Sequence, residues 1–370
     1  MYHISATKLM YKVYLFKRII LVFAFVALGL ALPAQAQKVY GNEWIKHNQT
    51  YYKIKVVTTG LYRLDHAYLS NLGLAGEDPR NFQLYRRGKE IPLYVAGEAD
   101  GNLGPQDYIE FFGERNDGAM DNELYKDPAH QVHQLYSFYT DTASYFLTVA
   151  PTAGKRVREV NPEPNGKVSE TYHLQKATYV NVDRFNTGKF YGSNRMPWID
   201  EGEGWFSHYS ISARNYSITG ISNVEPTGPK PMVEYATVGA YQEYHNLSVN
   251  VVSGTARTLN TFSYDWFSSA KDVKPLEFSD INSQGTVTLQ VLPVATPTRA
   301  NAISFSYAKV TYPQKLVFSG SSKFLYTDST RAQNPYFEFS NIPATVVAYD
   351  LTDMGNIMRV EGRRVGAAGK

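Results

Sequence analysis

In the stretch Ser144–Val149, SYFLTV, the large apolar residues Tyr145, Leu147 and Val149 occupy every second position. An extended chain turns successive side chains to opposite faces, so this spacing predicts a strand with one face on a core. The same period of two recurs upstream in Tyr52-Ile54-Val56, Phe82-Leu84, Leu93-Val95 and Ile109-Phe111, and again at Phe138. Turn residues separate the runs at Gly60, Gly88, Gly97–Gly101 (GEADG) and Asn116-Asp117-Gly118. That punctuation predicts hairpins and a β-sandwich or barrel. One short helix is expected over Asp65–Leu72, with Asp65 as its N-cap and Gly73 as the residue that ends it.

Residues 151–167, PTAGKRVREVNPEPNGK, combine Pro, Gly and charge without periodicity and read as a linker. A second β unit follows. Its candidate strands are Tyr209–Ile211, Met232–Tyr235, Leu247–Val252, Phe262–Phe267, Val287–Val291, Ile303–Tyr312, Tyr336–Phe339 and Thr345–Tyr349. About eight strands in that length suit a jelly roll, which stacks two antiparallel sheets. The expected fold class is therefore mainly β, with two antiparallel β-sandwich or jelly-roll-like domains after a signal peptide. The expected boundaries are 1–36 signal peptide, 37–150 first β domain, 151–167 linker, 168–350 second β domain and 351–370 linker.

Composition agrees with this reading and narrows the chemistry. The chain has 370 residues, of which 43% are hydrophobic and 19% charged, enough to bury sizeable cores. Its 29 Tyr, 27 Gly and 18 Pro suit many short strands and turns. Zero cysteines exclude a disulfide framework, a thiolate metal site and a cysteine nucleophile within these residues. The formal charge of +3 comes from the first 36 residues, which hold Lys8, Lys12, Lys17 and Arg18 and no acid. Beyond them the balance is slightly acidic, so no nucleic-acid partner is expected.

Those 36 residues have the build of an export signal. A basic flank precedes the apolar run 19–32, IILVFAFVALGLAL, and the run ends at Pro33-Ala34-Gln35-Ala36-Gln37. Small residues at Ala34 and Ala36 predict cleavage before Gln37, and the run is shorter than the roughly 20 residues a membrane-spanning helix needs. Translation from Met1 or from Met10 gives the same signal. The expected localisation is exported: periplasm, outer membrane or cell surface.

Three groups of segments carry a family resemblance. The first is YGNEWIKHNQTYYKIKV (Tyr40–Val56), GLYRLDHAYL (Gly60–Leu69), NFQLYRRGKEIPLYVAGEADG (Asn81–Gly101) and DYIEFFGERNDG (Asp107–Gly118). The second is ELYKDPAHQVHQLYSFYTDTASYFLT (Glu123–Thr148). The third is KVTYPQKL (Lys309–Leu316), FEFSNIP (Phe337–Pro343) and VAYDLTD (Val347–Asp353). In their order they resemble the N-terminal, non-catalytic region of PorU-type sortases of the type IX secretion system, gingipain-like cysteine peptidases of Bacteroidota.

The resemblance implies a parent peptidase that removes C-terminal sorting domains from secreted cargo and transfers the cargo to lipopolysaccharide. It also implies partners: a downstream caspase-like domain of the same polypeptide, outer-membrane components of the secretion system, and the cargo. In the family a His/Cys dyad lies in that downstream domain. This chain reaches Lys370 first and has no cysteine. No catalytic residue is therefore assigned, the chain alone is expected to be inactive, and a fragment of a longer reading frame is the expectation.

Two clusters remain as binding candidates. Asp100, Asn102, Asp107 and Glu110 crowd one turn region and could supply oxygens to calcium, although the positions of Gly104 and Pro105 break the EF-hand pattern. No other cofactor is expected. The aromatic stretch Phe190–Tyr209 sets Trp198, Trp205, Phe206 and Tyr209 among Asp200, Glu201 and Glu203. Three readings stay open for it: packing onto the sandwich, docking of the downstream domain, or stacking of sugar rings, as in a free-standing glycan-binding or adhesive protein. His130 and His133, spaced i, i+3, are weaker metal candidates because Pro128 predicts a loop.

Overall fold

The computed structural model describes residues 41–188, 196–294, 301–331 and 334–363. The expected signal peptide, with its Ala34, Ala36 and Gln37 junction, lies outside them. Gly41–Asn48 and Arg87–Lys89 belong to a separate unit whose described residues are turns and bends up to Lys89, where a strand begins. Within it Gly88 has φ +77°, and a Cβ there would meet the Trp44 ring at 3.1 Å.

The larger unit opens with a two-sheet sandwich. Its strands are β1 (Tyr52–Val56), β2 (Gly60–Asp65), β3 (Phe82–Arg86), β4 (Lys89–Ile91), β5 (Tyr94–Ala96), β6 (Tyr108–Gly113) and β7 (Ala143–Val149). They form sheets in the orders β1-β7-β3-β4 and β2-β6-β5. The alternation at the start of the sequence reading decides the packing: Tyr145 and Leu147 point inward with Ile54, Val56, Leu84, Ile109 and Phe111. Helix α1 (His66–Asn71) starts where Asp65 accepts the Tyr68 N–H at 2.8 Å. It ends in a Schellman turn, Leu74 N–H to Leu69 O and Gly73 N–H to Ser70 O, which needs Gly73 at φ +75°.

Asn116-Asp117-Gly118 does not close a hairpin. It opens a long excursion from Glu114 to Thr142 that contains short 3₁₀ turns and no strand, so Phe138 is not a strand residue. A buried carboxylate organises this excursion: Asp121 accepts the Ser137 hydroxyl at 3.2 Å and the Phe138 N–H at 2.7 Å.

After β8 (Arg158–Val160) comes the second sandwich, with β9 (Tyr172–Val180), β10 (Arg184–Thr187), β11 (Glu203–Phe206), β12 (Arg214–Ile218), β13 (Met232–Gly239), β14 (Tyr244–Val251), β15 (Arg257–Asp265), β16 (Ser269–Pro275), β17 (Val287–Pro293) and β18 (Ile303–Lys315). Its sheets are β12-β17-β14-β15 and β16-β13-β18-β9, all antiparallel, with β10 and β11 as a separate ribbon. Only the β14–β15 hairpin stays within one sheet; the other connections cross over, as in an eight-stranded jelly roll. Tyr235, Leu247, Val249, Leu289, Phe305 and Val310 fill the space between the sheets.

Tyr209–Ile211 and Tyr336–Phe339, expected as strands, contain none; Ser210 makes only a single bridge to Ile303. Conversely, the two expected linkers carry paired strands. β8 lies within 151–167 and pairs in parallel with β20 (Met358–Glu361), which also pairs with β19 (Val347–Asp350). Ile357, 1% exposed, packs with Val157 and with Phe112 of the first sandwich. The linker reading is corrected here because strands of three and four residues, two hundred positions apart, leave no periodic signal. Among the described residues no helix is long and apolar enough to cross a membrane.

Candidate functional site

The aromatic candidates are held by β11 and the chain before it. Tyr125 pairs with Ile199 in a parallel bridge and donates its hydroxyl to Glu203 O at 3.0 Å, which ties the 114–142 excursion to this region. Trp205 opposes Phe185 across the β10–β11 ribbon, rings edge to face at 5.4 Å. Phe138 meets Phe185 at 5.4 Å and Tyr125 at 5.9 Å, so four rings form one chain. Trp198 is half-buried with Lys126 Nζ 5.1 Å from its ring centre. Tyr209 is exposed and pairs with Tyr241 at 5.0 Å.

Phe206 has a different fate. It is 1% exposed and packs on Val132, Ala236, Val238 and Tyr307, so it offers no surface to a partner or a sugar. Alternation along β11 sends Trp205 and Phe206 to opposite faces. The four candidates therefore do not make one platform. Phe190, where that stretch begins, lies outside the described residues. The nearby acids serve the backbone: Glu203 accepts the Asp200 N–H at 3.1 Å, and Asp200 accepts the Glu201 N–H at 2.8 Å.

The calcium candidates are also dispersed by their bonding. Asp100 accepts the Asn102 N–H at 2.8 Å, and Asp107 accepts the Gly104 N–H at 2.6 Å. A Cβ on Gly97, at φ +82°, would collide with the Asp107 carboxylate at 2.0 Å, so that carboxylate fills the turn. Glu110 is turned elsewhere. Its Oε1 accepts Arg63 Nη2 at 2.6 Å and Nε at 3.0 Å, and its Oε2 accepts the Tyr349 hydroxyl at 2.9 Å. The hydrogen bond to Glu110 raises the Arg63 pKa, and burial followed by the Glu110 charge raises that of Tyr349. Glu110 thus joins the first sandwich to the C-terminal hairpin. Among the described residues no three His, Asp or Glu side chains gather as a metal-holding group.

His130 lies with its ring nitrogens 3.9 Å from the Asp127 and Asp200 carboxylates, whereas His133 and His245 are structural in their surroundings. His133 is half-buried, accepts the Leu135 N–H at 3.1 Å through Nδ1, and meets the Tyr307 ring edge-on at 5.4 Å. Burial, with the Lys271 charge as the lesser cause, lowers its pKa to about 4. His245, fully buried, faces Asn301 Oδ1 at 3.1 Å and Tyr241 O at 3.2 Å. Neither stands beside a nucleophile or a pair of carboxylates.

Sequence reasoning missed one surface. On the outward side of the sheet β12-β17-β14-β15, Asn215, Gln290, Asn250 and Thr258 form a row linked side chain to side chain, beside the exposed Leu292, Tyr244 and Asp265. The signal was present as Asn246-Ser248-Asn250 and Asn215-x-Ser217, polar residues alternating with the buried ones that predicted the strands.

No protein-family model and no curated protein matches this sequence. Among solved structures, the fold is similar to that of dimeric latent PorU from Porphyromonas gingivalis, with TM-score 0.57 at 12% identity over 86% of this chain. The chain spans about 30% of that PorU chain. A CBM36-1 domain of a multidomain xylanase from the hindgut metagenome of Trinervitermes trinervoides matches 40% of this chain with TM-score 0.22 and 14% identity. A carbohydrate-binding module CBM36 in complex with calcium and xylotriose matches 37% with TM-score 0.19 and 12% identity. Scores that low carry no argument. What the chain shares is the mainly β architecture of the part of PorU that it overlays.

Proposed function

We propose that this chain is an exported, non-catalytic accessory region of a PorU-type sortase, a scaffold for a gingipain-like peptidase domain encoded further along the same polypeptide. The observation that carries the reading is the fold similarity to PorU across most of this chain, which agrees with the order of the segments noted in the sequence. Fold similarity does not by itself assign function. Support comes from the interior: Glu110, Asp121, His133 and His245 hold strands and loops, as a scaffold requires. In this reading the parent removes C-terminal sorting domains from cargo at the outer membrane, and its partners are the peptidase domain, the secretion components and the cargo.

Two experiments test it. Extending the reading frame past the Lys370 codon is expected to reveal a caspase-like domain with a His and a Cys; an immediate stop codon sinks the proposal. The purified chain is expected to capture that domain when the two are expressed separately. Trp198→Ala with Trp205→Ala should weaken the capture if the 196–209 region is the contact; full-strength capture moves the contact elsewhere.

A further inference from the structure

The jelly roll has two ends, and they are unlike. Pairing registers bring the last residues of β9, β13, β15 and β17 and the first residues of β12, β14, β16 and β18 to one of them. The connections there carry six large apolar side chains, Val182, Tyr209, Ile211, Tyr241, Trp266 and Val294, each 40–61% exposed. At the opposite end the connections 219–231, 252–256 and 276–286 expose none.

These tips are held in place by the layer beneath them. Buried His245 faces Tyr241 O at 3.2 Å and Asn301 Oδ1 at 3.1 Å, and Asn301 Nδ2 donates to Val294 O at 2.9 Å. Ser210, between Tyr209 and Ile211, donates its N–H to Ile303 O at 2.8 Å and accepts the Ile303 N–H at 2.9 Å. The Tyr209 and Tyr241 rings meet at 5.0 Å. Trp266 has φ +54°, a left-handed conformation that strains a bulky residue. Its turn is also closely seated: a Cβ on Gly239 would collide with the Trp266 carbonyl, and one on Gly202 with Phe267. A strained turn that still leaves its indole half exposed points to a use of that ring outside the chain.

The mixture of side chains narrows what meets them. Sugar rings stack on aromatic faces, which leaves Val182, Ile211 and Val294 without a role. A protein hot spot gathers Trp, Tyr and Arg in one pocket and is poor in Val, whereas here half of the six are aliphatic and five separate connections supply them. Trp and Tyr beside aliphatic tips suit the boundary between lipid headgroups and acyl chains. Charge then selects the lipid. The described residues of these connections hold Asp183 and Glu243 and no Lys or Arg, while Arg299 lies outside the described residues. With the adjoining strand ends, Arg184 and Arg214 stand against Asp183, Glu243 and Asp265. Anionic membranes attract clustered Lys and Arg, so a tip this close to balance matches zwitterionic headgroups.

We infer that this end of the jelly roll is a contact site for a zwitterionic lipid surface, into which the six apolar side chains insert. This goes beyond the scaffold reading and does not rest on it, because the inserting side chains all belong to described residues.

The test is flotation of the chain that begins at Gln37, the form expected after cleavage, so that the apolar run 19–32 is absent. Vesicles of phosphatidylcholine are expected to carry it up a density gradient at least as well as vesicles of phosphatidylglycerol. Trp266→Ser with Ile211→Ser is expected to lower the bound fraction at least fivefold at unchanged melting temperature. Val168→Ser, at an exposed position before β9 at the other end, is expected to float like the parent chain. Brominated phosphatidylcholine is expected to quench the parent's fluorescence more than that of Trp266→Phe, a comparison that decides the matter if the double variant fails to fold. The inference is overturned if phosphatidylcholine vesicles do not carry the chain, if only phosphatidylglycerol does, if a folded double variant floats as well as the parent, if Val168→Ser abolishes flotation, or if bromine quenches Trp266→Phe equally. Weaker capture of the peptidase domain by the double variant, with no flotation of the parent, assigns the tip to a protein partner and also overturns it.

Discussion

The two sheets of the jelly roll share one core and turn opposite kinds of surface outward. The sheet β16-β13-β18-β9 is covered: Val132 and Leu135 from the excursion and Phe206 from β11 close over Ala236, Val238 and Tyr307. Its other outward groups include a charged cluster, in which Glu234 accepts the Tyr307 hydroxyl at 2.6 Å and Lys309 Nζ at 2.9 Å and pairs with Lys271 at 3.6 Å. The sheet β12-β17-β14-β15 faces solvent with a row of amides and hydroxyls beside Leu292, Tyr244 and Asp265. The difference teaches that inward alternation reports only the core, whereas the outward residues report what each sheet is for: one is consumed by the chain's own loops, and the other is left available.

The largest expected effect breaks the covered side. Phe206→Ala removes a fully buried ring and should cost about 3–5 kcal/mol, read as a large fall in the denaturation midpoint. A midpoint that barely moves would mean that the cover does not contribute to stability. The next effect is pH-dependent and confined to the same side. His133 has a native pKa of about 4 against an ordinary value of 6.5. Between those values the unfolded chain takes up a proton that the native chain refuses. Stability should therefore fall from pH 6.5 toward pH 4 by about 3 kcal/mol and then level off. A His133→Gln variant should lose this slope, which denaturant titration at several pH values will detect.

A smaller effect is expected at the charged rim of the covered sheet. Glu234→Gln leaves Lys309 and Lys271 without their carboxylate and should cost about 1–2 kcal/mol, with part of the effect screened by salt. The smallest effect belongs to the open side: Gln290→Ala and Asn250→Ala should each change stability by no more than about 0.5 kcal/mol, because these half-exposed side chains lose bonds that water replaces. If either costs as much as Glu234→Gln, the amide row is a structural brace and the contrast between the sheets collapses.

How far the sequence carried can be followed element by element. Asp65 and Gly73 marked both ends of α1, because capping is local chemistry written within eight positions. The strands with strong alternation, β1, β3, β6, β7, β14, β17 and β18, were legible for the same reason. β9 and β16 were not: each is an edge strand, and Lys176, Lys271, Asp272 and Lys274 interrupt the apolar pattern where one side meets solvent. Asn116-Asp117-Gly118 promised a hairpin, but a turn signal sets only a local bend, and Asp121 holds the following residues in an excursion instead.

The candidate sites fared differently. Carboxylates close in sequence suggested calcium, yet Glu110 turns to Arg63 and Tyr349, a partner 239 residues away. Trp205 and Phe206 are neighbours in sequence and opposite in fate, one on a ribbon of rings and one in a core.

By itself the sequence determined the β class, the caps of α1 and the inward face of most strands, since period and capping act between residues a few positions apart. Tertiary structure alone decided that β8 and β20 pair, that Phe206 is buried, that Glu110 holds the C-terminal hairpin, and that amides from four strands line up in one row. Each of those depends on which distant segments lie side by side, and that choice is made by the packing of whole faces, a sum over many residues that no single stretch contains.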